Sequence, residues 1–302
     1  KLKYYIFIIL FMISKQLRLQ WKEEYCKEWY QFVCDDSSEY WSHSCLSNNP
    51  NITWEIVKNN PDKKWSYIHL SENPNITWEI VKNNPQIPWG YRWLSYNPNI
   101  TIDIVKNNPD INWDYNWLTS NPNITIEIVK DNSQIPWNYN WLSKNPNITW
   151  EIVQNNPQIP WSYSILSRNP NMTWDIVKDN PEKPWNYYWV ICNSNITWEI
   201  VQNNPQIDWN YEGLSKNPNI TWEIIQNNPD KPWQYKWFSE NPNITWEIIQ
   251  NNPDINWSHW SLSTNPMTKQ FNDYMEKKEI AYKIIDRYTN RDIAEMIMSM
   301  IL

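Results

Sequence analysis

What this sequence lacks narrows it before any motif is read. It has 2 Gly, so the usual residue of tight β-hairpin turns is nearly missing. Its 3 His (His43, His69 and His259) lie far apart, with no nucleophile–base set, Gly-rich phosphate loop or metal-ligand pair beside them. No catalysis, cofactor or metal is therefore expected. Lys and Arg number 26 against 33 Asp and Glu, a net charge of −7 that argues against a nucleic-acid partner, because phosphate binding needs clustered cations. The 4 Cys stand at 26, 34, 45 and 192. Cys26, Cys34, His43 and Cys45 match no common zinc finger, whose ligand pairs sit about two to four residues apart, so ordinary thiols are expected.

Bilayer-length apolar runs are missing as well. "YYIFIILFMI" at 4–13 follows Lys1 and Lys3 in the manner of a signal-peptide core, yet it is too short to span a membrane and no small-residue cleavage site follows. Two readings stay open: a targeting segment for a secretory or membrane route, or a buried first helix that caps the core. The second is favoured. Residue 1 is Lys rather than Met, so the chain is read as a fragment or a processed product.

What is present is Asn, Pro and Trp in a fixed rhythm. Asn-Pro recurs at 49, 73, 97, 121, 145, 169, 217, 241 and 265, and Asn193-Ser194 fills the gap in register, which gives a period of 24 over nine units. Each unit reads NPNITWEIVKNNPxIPWxYxWLSx. Trp at the seventeenth place, Ile at the eighth and Asn at the twelfth recur in every unit, so they are expected on the core side. The eighteenth, twentieth and twenty-fourth places vary from unit to unit and are expected on the surface. "NPNITW" at 73–78 is echoed by "NPQIPW" at 84–89, which divides the unit into two like halves.

"ITWEIV" alternates like a strand, but its flanks favour helix. Thr53 is a good N-cap, with Glu55 in the first turn and Lys58 near the end, and Ile52 can staple back onto that turn. Asn59-Asn60-Pro61 supplies a left-handed cap followed by a stop. Pro88 suits the first turn of the second helix. The reading is an all-α fold: an α-solenoid of nine 24-residue helix-turn-helix units, extended as a rod. Residues 1–24 form the apolar N-terminal segment, 25–48 a degenerate capping repeat, 49–264 the tandem repeats and 265–302 a helical C-terminal cap.

"NPNITWEIV" and "NPDKPWQYKWFSENPNIT" resemble the Asn/Trp-rich tandem-repeat proteins encoded in many copies by giant DNA viruses of amoebae. The resemblance covers about residues 41–266. It implies an origin and a repeat fold, with the infected-host cytoplasm or the virion as location, and no activity. Ser133 and Ser194 for Pro, Ile102 and Ile126 for the first Trp, and Gly213 and Ser261 at the twenty-first place depart from the phrase.

With no catalytic constellation, function is sought on the variable places. Interaction scaffolding for a protein partner is the leading expectation, with Arg92, Tyr96, Asn116, Asn140, Lys144, Arg168, Tyr188, Glu212, Lys216, Lys236 and Glu240 as the candidate surface. Trp93, Trp117, Trp141, Trp189 and Trp237 at the twenty-first place are the candidate half-exposed aromatics, and a carbohydrate platform built on them is the weaker alternative. Basic residues between the rings, which nucleic acid would need, are not evident in the linear sequence. The nine Asn-x-Thr triplets from Asn51 to Asn243, with Asn256-Trp257-Ser258, are formal glycosylation acceptors, so a secreted or virion-surface glycosylated structural protein is a further alternative. The favoured reading makes each triplet a turn and cap. The acidic ladder at the seventh place, Glu55 to Glu247, is read as serving its own helix N-termini.

Overall fold

The computed structural model describes residues 2–35 and 41–282, which form helices and turns with no strand among them. Unit 73–96 shows how the phrase folds. The Thr77 hydroxyl accepts the amide of Ile80 and opens the first helix, Trp78–Asn83. This is the expected N-cap. The helix ends differently from expectation: Asn84 takes φ −132° and ψ 58° rather than a left-handed conformation. Its side-chain amide donates to the Ile80 carbonyl at 2.8 Å, while its own carbonyl accepts the Trp89 indole N–H at 3.0 Å. A side chain and an indole thus do what a positive φ would otherwise do for the helix end.

The second helix is Tyr91–Leu94. It starts after Trp89, so Pro88 belongs to the connecting segment and the two halves of the unit are unlike despite their shared wording. In most units a side chain at the eighteenth place caps this helix, as Ser66, Asn138 and Ser162 do. The hydroxyl at the twenty-third place of one unit accepts the eighteenth-place amide of the next, for example Asp114 N–H to Ser95 Oγ at 2.9 Å.

The core runs along the fourth, ninth, seventeenth and twenty-second places: Ile76, Val81, Trp89 and Leu94 are all buried. The constant Ile of the eighth place is only half-buried in most units, Ile80 and Ile104 among them, and packs against the core from its edge.

Asn at the first place joins the units. Asn145 is fully buried, and its side-chain amide donates to the carbonyls of Thr119, at the end of unit 97–120, and of Asn121 and Ile124 in the preceding unit, at 2.9, 3.0 and 3.0 Å. Its Oδ1 accepts the Asn147 amide at 2.9 Å. Asn73, Asn97, Asn121, Asn169, Asn193, Asn217, Asn241 and Asn265 each donate to the backbone 24 residues earlier.

The belt does not stop at the ends. Asn49 donates to the carbonyls of Ser263 and Asn265 at 2.9 and 3.0 Å, and Asn51 to that of Pro266 at 3.1 Å. The helix His43–Leu46 packs on His259–Thr264 as other consecutive second helices pack on each other. Trp41 meets Trp246 at 6.4 Å, which matches the Trp54–Trp89 contact at 5.8 Å inside the array. The solenoid axis therefore closes into a ring rather than extending as a rod. Each unit turns by the same small angle, and the turns sum to a full circle.

Among the described residues ten second helices line the ring, from His43–Leu46 to His259–Thr264, against nine first helices. The tenth first-helix place is filled by the chain ends. The N-terminal helix Leu2–Asp35 runs through the 24/25 boundary drawn from sequence. It packs on the helix over 268–282: Tyr25 lies 5.1 Å from Phe271, and Glu24 pairs with Lys278 at 2.9 Å. On one flank Tyr30 meets Trp65 at 6.0 Å, and on the other Phe32 meets Trp246 at 3.9 Å. No helix among the described residues is long and apolar enough to cross a membrane. The environment of the side chains of 4–13, and the helical stretch expected over 291–302, lie outside the described residues.

Candidate binding surface

Several consecutive second helices pack on each other, Tyr139–Lys144 on Tyr163–Leu166 and Tyr211–Lys216 on Tyr235–Phe238 among them, whereas among the described residues no two first helices pack as closely. The second helices therefore form the smaller circle, the inner rim. At a packing distance of about 8–10 Å, ten of them stand on a circle roughly 30 Å across between axes. Side chains two units apart meet there: Lys144 Nζ lies 5.6 Å from the Tyr96 ring. Such a reach needs a concave wall.

The variable places come together on that wall. Of the candidate residues, Tyr96, Lys144, Arg168, Lys216 and Glu240 occupy the twenty-fourth place, and Arg92, Asn116, Asn140, Tyr188, Glu212 and Lys236 the twentieth. Arg92, Asn116, Asn140, Arg168 and Lys236 are exposed and the others half-buried. Trp93, Trp117, Trp141, Trp189 and Trp237 are half-buried between them. Trp93 to Trp117 and Trp117 to Trp141 are each 5.2 Å apart, so three indoles form a continuous stack. Gly213 breaks the series: a Cβ there would stand 3.0 Å from Ile191 Cγ2 and 3.3 Å from Cys192 Sγ.

Cations and rings alternate along the rim, a feature hidden in the linear sequence. Arg168 covers Trp189 at 4.0 Å and Lys216 covers Trp237 at 3.7 Å. Arg92 lies 5.8 Å from Trp117, and Lys144 lies 5.6 Å from Trp141. Some of these charges are answered. Arg92 pairs with Asp114 at 3.2 Å, Lys216 with Glu240 at 3.5 Å, and Tyr188 donates to Glu212 at 2.8 Å. Asn116 Oδ1 accepts the Asn138 amide at 2.7 Å. Burial, then the bond to Glu212, pushes the Tyr188 phenol up to about 12. Burial, then the neighbouring Arg168, holds the Lys144 ammonium below its ordinary range, and burial raises the Glu72 carboxyl.

The acidic ladder lies on the first helices and is exposed throughout, from Glu55 to Glu247. Acids thus outnumber the lysines on the outer helices, where Lys58, Lys82, Lys106, Lys130 and Lys178 also stand, while most of the ring-stacked cations lie on the inner rim. The sequon asparagines are occupied by packing. Asn147 donates its amide to the carbonyls of Pro122 and Ile124, and the same pair of bonds recurs at Asn75, Asn99, Asn123, Asn171, Asn219 and Asn243. Asn195 donates to Pro170. Asn256 is exposed.

A second concavity, of about 870 Å³, opens at the seam between the terminal helices and Trp246–Gln250. Tyr25, Trp29, Phe32, Trp222 and Trp246 line it among carboxylates. Cys26 is buried beside it, and burial pushes its thiol up to about 11. His43 contacts Tyr30 and Trp65, and His69 contacts the Ser44 carbonyl, so each serves its own local packing. No group of three or more potential metal ligands comes together among the described residues. Compared with protein-family models, curated proteins and solved structures, the chain matches none.

Proposed function

We propose that this chain is a non-enzymatic scaffold whose inner rim holds a protein partner, serving a giant virus of amoebae in the infected cytoplasm or the virion. One observation carries the reading. The places that differ from unit to unit converge on one concave wall, while the constant places build the belt and the core. A repeat surface gains specificity by varying what it presents on a fixed frame.

Reversing the charge of Arg92, Lys144, Arg168 and Lys236 together tests it. Partners captured by the wild-type ring are expected to be lost while the melting temperature stays within a few degrees. Capture of the same partners by the reversed ring would overturn the reading. The carbohydrate platform has less support, because these indoles already contact neighbouring rings and cations. A glycosylated structural role has less support for the nine repeat sequons, whose amides are spent between units.

A further inference from the structure

Lys144 and Arg168 stand on consecutive units of the inner rim, both at the twenty-fourth place, with no carboxylate within ion-pair distance among the described residues. The other rim cations at that place and the one before the stack behave differently: Lys216 has Glu240 and Arg92 has Asp114. Lys144 is half-buried, 5.6 Å from both the Tyr96 and Trp141 rings, and Arg168 lies 4.0 Å above Trp189. Aromatic faces hold the two side chains in place without neutralising them. Their mutual repulsion is written into Lys144, whose ammonium Arg168 destabilises beyond the effect of burial, with Glu72 acting on it only as a weaker opposing charge. Two like charges kept on consecutive units, with Lys144 half-buried and only Glu72 opposing it from a distance, are unfavourable in the free protein. An anion placed between them relieves that cost.

We propose that this corner of the rim is an anion-receiving site, and that the partner enters it with an acidic polypeptide segment. The proposal deepens the scaffold reading and rests on it. Charge complementarity points to an acidic chain rather than to nucleic acid. Single strands bind by stacking bases on free aromatic faces. Here Trp93, Trp117 and Trp141 contact one another at 5.2 Å, and Trp189 and Trp237 each carry a cation, Arg168 and Lys216, so these rings already have partners where a base would stack. Glu72, Glu212 and Glu240 further break the run of positive charge that a phosphate backbone would follow. An extended peptide with spaced carboxylates needs only a few cations and a wall to lie against. On the outer helices acids outnumber lysines, whereas on the rim Arg92, Lys144, Arg168, Lys216 and Lys236 outnumber the three glutamates, so an acidic segment meets less repulsion there.

The test is fluorescence anisotropy with labelled hexaglutamate, hexaglutamine and a twelve-nucleotide oligothymidylate, on the full chain. Wild type is expected to bind hexaglutamate, more weakly as salt rises, and to bind hexaglutamine at least about tenfold more weakly. Lys144→Gln with Arg168→Gln should cost about five- to tenfold in hexaglutamate affinity, and Lys106→Gln with Lys130→Gln, two outer-helix lysines, less than about twofold. Arg168→Gln alone, at an exposed site, serves if the double variant melts early. Equal losses in the rim and outer variants, equal binding of hexaglutamine, or tighter binding of the oligonucleotide would each overturn the proposal. If hexaglutamate fails to bind while charge reversal of the rim still strips the captured partners, the acidic-segment inference falls and the scaffold reading stands. If neither responds, both fall.

Discussion

The side-chain amide of Asn49 donates to the backbone carbonyl of Asn265 at 3.0 Å, although 216 residues separate them. The same bond joins Asn145 to Asn121 at 3.0 Å inside the array. The seam is therefore one more inter-unit interface, with the terminal helices laid across it.

Stability should report this equivalence. Asn145→Ala removes a buried donor from three carbonyls, of which Asn121 and Ile124 keep another, and the acceptor of the Asn147 amide, which costs about 2–4 kcal/mol in total. Asn49→Ala is expected to lower the urea midpoint by a similar amount. Asn155→Ala, at an exposed helix end, should stay within about 0.5 kcal/mol of wild type. A silent Asn49→Ala beside a damaging Asn145→Ala would mean that the ring is open in solution.

Shape gives an independent check. Nine units extended at about 10 Å each would make a rod with a radius of gyration of about 30 Å. The closed ring should give about 20–25 Å, close to that of a compact chain of this length. Small-angle scattering separates the two.

Glycan occupancy follows from the sequon bonds. Produced in a secretory host, the folded fraction is expected to carry glycan at Asn256 and none at the nine repeat sequons, since a glycosylated Asn147 could no longer donate to both Pro122 and Ile124. Glycopeptide mass spectrometry of the folded fraction decides. Glycan on Asn147 in protein with an unchanged melting curve would contradict the belt geometry.

Glu72 predicts a pH effect. Burial raises its carboxyl above the ordinary 4.5. Above the raised folded-state value the folded and unfolded chains both hold it ionised, and the fold bears the burial cost. As pH falls through the raised folded-state value, the folded chain takes up the proton first and stability rises until about 4.5. Glu72→Gln should therefore be at least as stable as wild type above the folded-state value, with the difference in urea midpoints shrinking as pH falls toward 4.5. A gap that widens on acidification would refute the assignment.

Much of the fold was written plainly in the sequence. Thr caps, the buried Trp of the seventeenth place and the variable letters all follow from residues within one unit. Closure was not legible, because it is the sum of small rotations between units and no single phrase encodes a sum. The role of the first-place Asn was hidden for a related reason: its amide works 24 residues upstream, beyond anything its own unit spells out. A signal was available in Asn193, which persists where Pro gives way to Ser194, and in a chain whose repeat region begins and ends on the same kind of helix. The alternation of cations with indoles was invisible for the same reason, since Arg168 meets Trp189 only across a unit boundary.

A closed belt makes copy number a quantised property. An open solenoid can gain or lose a unit at its end and merely change length. Here an added or deleted copy would leave Asn49 facing the wrong carbonyls, with the circle over- or under-wound by about 36°, one unit's share of the turn. Tandem genes change copy number readily, yet this ring can absorb such a change only by opening. Diversification is thus confined to substitution, one letter at a time, on the wall that faces the hole.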